Sequence, residues 1–245
     1  MLKINNLGES SNTIMKSSMM NAYVIEYIKS NSAFIDLKRS DLNFKQLIVN
    51  LSNQSVMTKI GAFQWSAGDI EMNANIKGVG DLISKKISTK MTKLSTIRPI
   101  LKGSGTLAFE PTLKNIILEN INEWGGVAIF EHTFIGCDGN VQIENSKKNT
   151  TLSKGSSELS HVLYLEGEGW VAFESVFAKE DLVEIILDNN EIRVDGNLVV
   201  AWSSTLNSGV EQLSTSIANS SIDGEKMLNF FRGSGRILMM PYFVK

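Results

Sequence analysis

The sequence is short of the residues on which most chemistry depends. Of 245 residues only one is cysteine, Cys137, and two are histidine, His132 and His161. A single cysteine excludes a disulfide framework within the chain and fits a reducing, cytoplasmic setting. Neither charge dominates: 24 Lys and Arg stand against 26 Asp and Glu, a net charge of −2. That balance argues against a dedicated nucleic-acid binder, which carries a basic excess. No apolar run reaches the roughly 18 residues a membrane-spanning helix needs. The first residues, MLKINNLGESSNTIMKSSMMNAY, hold no continuous apolar stretch of the signal-peptide kind, so none is expected. Proline is scarce, with Pro99, Pro111 and Pro241 alone, and long helical periodicities are nearly missing.

What remains is strand. Short β-branched and aromatic tracts such as VIEYI, KQLIVNL, NIILENI, WVAFESVF, NLVVAW and GRILMM alternate with Gly, Asn, Asp and Ser. This is the pattern of an all-β sandwich, barrel or repeat fold. Three segments share a glycine pair set in a strand: Leu101-Lys-Gly-Ser-Gly-Thr-Leu-Ala-Phe109, Leu165-Glu-Gly-Glu-Gly-Trp-Val-Ala-Phe173 and Phe231-Arg-Gly-Ser-Gly-Arg-Ile-Leu-Met239. Gly103 and Gly167 are 64 residues apart, Gly167 and Gly233 are 66 apart, and a degenerate copy with serines at Ser30 and Ser32 lies upstream. A second landmark keeps phase with the first, at Phe63, Phe134 and Val199, and an aliphatic strand lies between the landmarks at Leu47–Val49, Ile116–Leu118 and Ile185–Leu187. The chain therefore divides into three repeats: 1–100, with a basic helical insert at about 81–98; 101–164; and 165–245, closed by a last strand. Units this small share burial with their neighbours.

The glycines Gly103, Gly105, Gly167, Gly169, Gly233 and Gly235 read as structural. Glycine in a strand marks a bulge, a bend or the close approach of another backbone. A phosphate-cradling loop needs a following helix, and here strand follows. Variable inserts precede the glycine pairs. Spacing at Ile83, Ile87, Met91 and Leu94 predicts a helix over Leu82–Leu94, and Val210, Leu213 and Ile217 predict one over Val210–Ser220. Asn145–Ser160, rich in Ser, Thr and Lys, reads as a long loop.

Few residues invite a chemical reading. Lys85, Lys86, Lys90 and Lys93, with Arg98 and Lys102, fall where no acidic residue intervenes, and make candidate anion contacts. No aromatic residue interleaves them to stack a base, and a solvated helix face explains them as well. His132, expected in a strand, and His161, expected at a strand start, form no H-x-H or C-x-x-C pattern, so no metal site is expected. A catalytic Cys137–His pair stays open, since such partners meet only in space. Against it, Cys137 occupies the repeat position held elsewhere by Ser66 and Trp202, a position that reads as packing. No residue pattern calls for a cofactor.

Three stretches carry a resemblance: Leu198-Val-Val-Ala-Trp-Ser-Ser, Gly224-Glu-Lys-Met-Leu, and Phe231-Arg-Gly-Ser-Gly-Arg-Ile-Leu-Met. With Ile60-Gly-Ala-Phe-Gln-Trp and Gly68-Asp-Ile-Glu-Met, they resemble the altered-inheritance-of-mitochondria (AIM) group of β-proteins from about residue 23 onward. That group is similar in fold to the tryptophan RNA-binding attenuation protein (TRAP). The resemblance implies three units, each a short double-stranded β-helix, in a pseudo-threefold chain that trimerises into a ring of nine. It implies no catalytic residues; bacterial members have no established activity, and mitochondrial ones are linked to inner-membrane organisation. The sequence departs from the pattern at Leu113-Lys-Asn115 and at the serines that replace the first glycine pair.

Together these features predict a non-enzymatic, homo-oligomeric β-scaffold or binding protein whose partner is itself. Its expected seams are Asn21–Ile28 and Arg236–Phe243. The alternatives are an RNA- or anion-binding ring, by fold analogy, and an enzyme using Cys137, His132 or His161. Peripheral association with a membrane stays open.

Overall fold

The computed structural model describes residues 14–16, 21–27, 44–73, 98–145, 152–154, 158–212 and 227–242. They form seventeen strands and three short 3-10 turns. In chain order the strands are β1 (Ile14–Lys16), β2 (Asn21–Tyr27), β3 (Phe44–Thr58), β4 (Phe63–Asn73), β5 (Ile100–Phe109), β6 (Asn115–Asn120), β7 (Val127–Phe130), β8 (Phe134–Asp138) and β9 (Gln142–Asn145). They continue with β10 (Leu152–Lys154), β11 (Glu158–Ser160), β12 (Val162–Glu166), β13 (Trp170–Ser175), β14 (Val183–Asp195), β15 (Val199–Ser203), β16 (Asn207–Gln212) and β17 (Met227–Met239). The protein is all-β, as its tracts predict, and is built on two antiparallel sheets.

The chain divides into two compact units. The first comprises 1–118, 135–140 and 169–176, the second 119–134, 141–168 and 177–245. The sheet of the first unit has eight strands in the order β1-β2-β3-β8-β13-β6, with β5 paired to both β3 and β4. The sheet of the second has seven, β14-β17-β15-β7-β12-β9, with β16 also on β17.

The glycine-pair strand is central in its group of strands. β5 lies between β3 and β4, and β17 between β14 on one side and β15 and β16 on the other. In the middle of the chain the same strand is cut at Gly167–Gly169. Its first half, β12, lies between β7 and β9, and its second half, β13, between β8 and β6. The chain thus leaves one sheet and enters the other at the glycine pair.

Strand β3 shows why a long segment holds together. Leu47, Ile48 and Val49 are all buried; successive residues face opposite sides of a sheet, so both faces of β3 are covered here, Leu47 and Val49 on the side of the first unit's core and Ile48 on the other. A strand enclosed in this way reads as a continuous apolar run. Leu47, Val49, Leu107, Phe109, Trp170 and Ala172 build the core of the first unit. In the second, Trp202 is fully buried, with the rings of Phe130 and Phe231 set edge-on, each 5.5 Å away. Such pairs contribute about 0.5–1.5 kcal/mol beyond the area they bury.

Several expectations need correction. Val210 does not open a helix. Asn207–Gln212 is β16, with Val210 opposite Asn229 of β17, since a thirteen-residue strand offers backbone partners that three apolar residues at helical spacing cannot outweigh. The predicted loop Asn145–Ser160 contains the hairpin β10–β11, with Ser153 opposite Leu159. His132 lies in the 3-10 turn Glu131–Thr133 between strands, not in one. Of the predicted seams, the Arg236–Met239 part of β17 is held by β14 and β15 and offers no open edge, whereas β2 is covered by β3 along Asn21–Tyr27 and by β1 only at Asn21–Tyr23. The predicted helix Leu82–Leu94 lies outside the described residues.

Candidate functional site

Cys137 is the sequence's candidate nucleophile, and the fold shows what surrounds it. β8 pairs with the end of β3, Cys137 standing opposite Met57 and Asp138 opposite Val56. The thiol is buried. Burial, and next the adjacent Asp138 charge, push its pKa far above the ordinary thiol range, against the pull of Arg98. A nucleophilic cysteine needs its thiolate in an electropositive, partly exposed place, so this one is a small core residue. Asp138 is also buried. Burial raises its pKa, while the Trp170 N–H, which donates to its carboxylate at 2.9 Å, works in the opposite direction. Gly169 makes that bond attainable. A Cβ there would lie 2.3 Å from the Asp138 Oδ2, and its φ is +127°.

Cys137 belongs to the first unit and both histidines to the second. The backbones at the histidines meet, Glu131 N–H donating to the His161 carbonyl at 2.9 Å. Both His132 and His161 are exposed, and the His132 ring lies 5.8 Å from that of Phe130. Among the described residues no group of three His, Cys, Asp or Glu could hold a metal ion. Lys85, Lys86, Lys90 and Lys93 lie outside the described residues. Of the remaining basic run, Lys102 is exposed, while Arg98 is buried and acts electrostatically on Cys137. Arg98 is therefore no part of a solvent-facing patch.

Of the six structural glycines all but Gly235 have positive φ. At Gly103 a Cβ would also lie 2.0 Å from the Asp69 carbonyl oxygen, and at Gly105 2.2 Å from that of Ala67, so β4 approaches β5 more closely than any side chain permits. At Gly235 a Cβ would meet Ser203.

Sequence reasoning missed two polar arrangements. In the first, the serine between the glycines caps a bulge in the neighbouring strand. Asn53 has φ +56° and Asn189 φ +46°, and each sits at a register shift. Their N–H groups donate to Ser104 Oγ at 2.8 Å and Ser234 Oγ at 2.9 Å. Turn-forming Ser52-Asn53 and Asp188-Asn189 in mid-strand were the available signal. In the second, Arg193 and Arg232 each bond both Glu191 and Glu211 across β14, β17 and β16, at 2.5–3.0 Å. The bonds from Arg232 and Arg193 hold the Glu191 carboxyl below the usual range. This exposed group is self-neutralising and leaves no cation free within it. Elsewhere, the buried Glu119 carboxylate accepts from Trp124 Nε1 at 3.2 Å and pairs with Lys179 at 2.7 Å. These groups rigidify the strands, and none forms an array pointing at a common external atom.

The family model for mitochondrial biogenesis AIM24 matches residues 38–242. The crystal structure of protein SPYM3_0169 from Streptococcus pyogenes is similar in fold, with TM-score 0.59 and 20% identity over 90% of this chain and 94% of that one. No curated protein matches the chain.

Proposed function

Because the chain belongs to the mitochondrial biogenesis AIM24 family, we propose that it is a non-enzymatic β-scaffold of three repeats that assembles with copies of itself. The observation that carries this reading is the recurrence of one strand arrangement. The strand bearing the glycine pair is flanked on both sides in each case: β5 by β3 and β4, β12 and β13 by β7, β9, β8 and β6, and β17 by β14, β15 and β16. Three such groups in one chain support a TRAP-like, pseudo-threefold double-stranded β-helix. The apolar core built in each unit supports a structural role, and the buried thiol of Cys137 gives the nucleophile reading no support.

The number of copies, three, comes from the resemblance to the AIM group. The cytoplasmic placement rests on the single cysteine. Light scattering at micromolar concentration tests the assembly: a mass of about three chains is expected, and the mass of one chain, 27.0 kDa, defeats it. Ultraviolet absorbance of the purified protein before and after a high-salt wash tests the nucleic-acid alternative, since phosphate-driven binding weakens with salt.

A further inference from the structure

Each sheet contains one joint between successive groups of strands, and the two joints share a register. In the first sheet Val56, Met57 and Thr58 of β3 stand opposite Asp138, Cys137 and Gly136 of β8. In the second, Val127, Ala128 and Ile129 of β7 stand opposite Ser203, Trp202 and Ala201 of β15. The positions correspond through the glycine strands. Val56 faces Leu101, Val127 faces Leu165 and Ile192 faces Phe231, each two residues before the first glycine of its pair. On the other flank Trp65 faces Ala108 and Ala201 faces Leu238, each five residues after that glycine. Ile192, Arg193 and Val194 of β14 therefore occupy the place of Val56–Thr58 and Val127–Ile129. Trp65, Ser66 and Ala67 of β4 occupy the place of Gly136–Asp138 and Ala201–Ser203.

At this third set of positions the joint is missing. Among the described residues β14 pairs only with β17 and β4 only with β5. Burial records the difference. Cys137 is 1% exposed and Trp202 0%, whereas their counterpart Ser66 is exposed and Trp65 and Ala67 only half-buried. Ala128 is 0% exposed, while its counterpart Arg193 is exposed and Ile192 half-buried. Both existing joints run from one repeat to the next in sequence. No such joint links the third repeat to the first among the described residues.

We infer that the Ile192–Val194 edge of β14 pairs antiparallel with the Trp65–Ala67 edge of β4 in a second copy of this chain, with Ile192 opposite Ala67, Arg193 opposite Ser66 and Val194 opposite Trp65. The inference rests on the three-repeat reading proposed above and supplies its seam. Such a contact joins two different surfaces, so it is heterologous and must close into a ring to avoid unlimited growth. It also removes two exposed strand edges, which otherwise invite uncontrolled pairing. The pair Arg193 and Ser66 replaces the apolar pairs of the internal joints, leaving both edges tolerable to water before assembly.

The test is a disulfide across the seam. Directly opposed Cβ atoms lie about 4.5–5.5 Å apart, near the span a disulfide bridges. The full chain carrying Arg193→Cys and Ser66→Cys is expected to give, on oxidation, covalent multimers that collapse to one chain on reduction. A control with Arg193→Cys and Gln64→Cys, two residues out of register, is expected to give several-fold less. A second variant, Ser66→Arg, sets a like charge opposite Arg193 at a position exposed in the single chain and leaves Arg193 its bonds to Glu191 and Glu211; its mass is expected to fall to one chain with its circular dichroism unchanged. Oligomeric mass without register-specific cross-linking, or a cross-link within one chain, overturns the seam and leaves the oligomer standing. A wild-type mass of one chain with no intermolecular cross-link overturns both.

Discussion

At the scale of single residues, the glycines separate two costs. Gly61 has φ +78° with nothing within 4 Å of an added Cβ, whereas Gly105 combines φ +156° with a backbone oxygen 2.2 Å from that Cβ. Gly61→Ala bears backbone strain alone, about 1 kcal/mol. Gly105→Ala must also push β4 away from β5, and is expected to cost ~3 kcal/mol. Urea unfolding midpoints measure both; equal losses would show that close approach is not what selects glycine at 105. Asp138 gives a pH-dependent counterpart. Its folded pKa lies above the unfolded value, so the folded state binds the proton more tightly. That favours the fold at low pH, and the advantage disappears as pH rises through the folded pKa. Asp138→Asn keeps an acceptor for the Trp170 N–H and discards the buried charge. The melting temperature of the variant minus that of the wild type is expected to grow as pH rises from about 4 to 7. A difference that stays flat with pH would mean the charge is compensated.

At the scale of elements, the bulges decide how long the strands are. KQLIVNL is readable as a strand in the sequence, but Ser52-Asn53-Gln54 looks like its end. β3 continues to Thr58 because Asn53 takes the left-handed conformation, and its N–H is satisfied by Ser104 Oγ. The residue that caps it is 51 positions away, so no local pattern could join them. Asn is the side chain that tolerates this backbone, and a β-branched residue is not. Asn53→Val is accordingly expected to lower stability by ~1–2 kcal/mol, and Asn53→Gly by no more than ~0.5 kcal/mol. Equal effects in chemical denaturation would remove the conformational argument. The same limit explains the other misreadings. Apolar tracts and glycine pairs are local and were legible. Val210 takes its structure from a partner elsewhere in the chain, Asn229, while the Ser153–Leu159 hairpin is local but is built from polar tracts that carry no strand pattern. Of the candidate site, the packing role of Cys137 was legible from its register with Ser66 and Trp202; the burial of Arg98 and the Glu191–Arg193–Glu211–Arg232 network were not, because they depend on which strands become neighbours.

At the scale of the whole molecule, the two units share a logic of central glycine strands and enclosed apolar runs, and each has its own core. The edges left over, on β4 and β14, are where the molecule is least self-sufficient. Assembly through them couples stability to concentration, because association stabilises the folded chain by mass action. If the seam forms, the melting temperature of the wild-type protein rises with protein concentration, whereas the Ser66→Arg variant melts at one temperature throughout. The comparison isolates the edge from the fold: Ser66 is exposed in the single chain, and the Arg193 bonds to Glu191 and Glu211 are left in place. A wild-type melting temperature constant over a hundredfold range of concentration would show that folded copies do not associate over that range, since association of folded chains raises it. It would leave the β4 and β14 edges without the partner that their half-buried Trp65 and Ile192 call for.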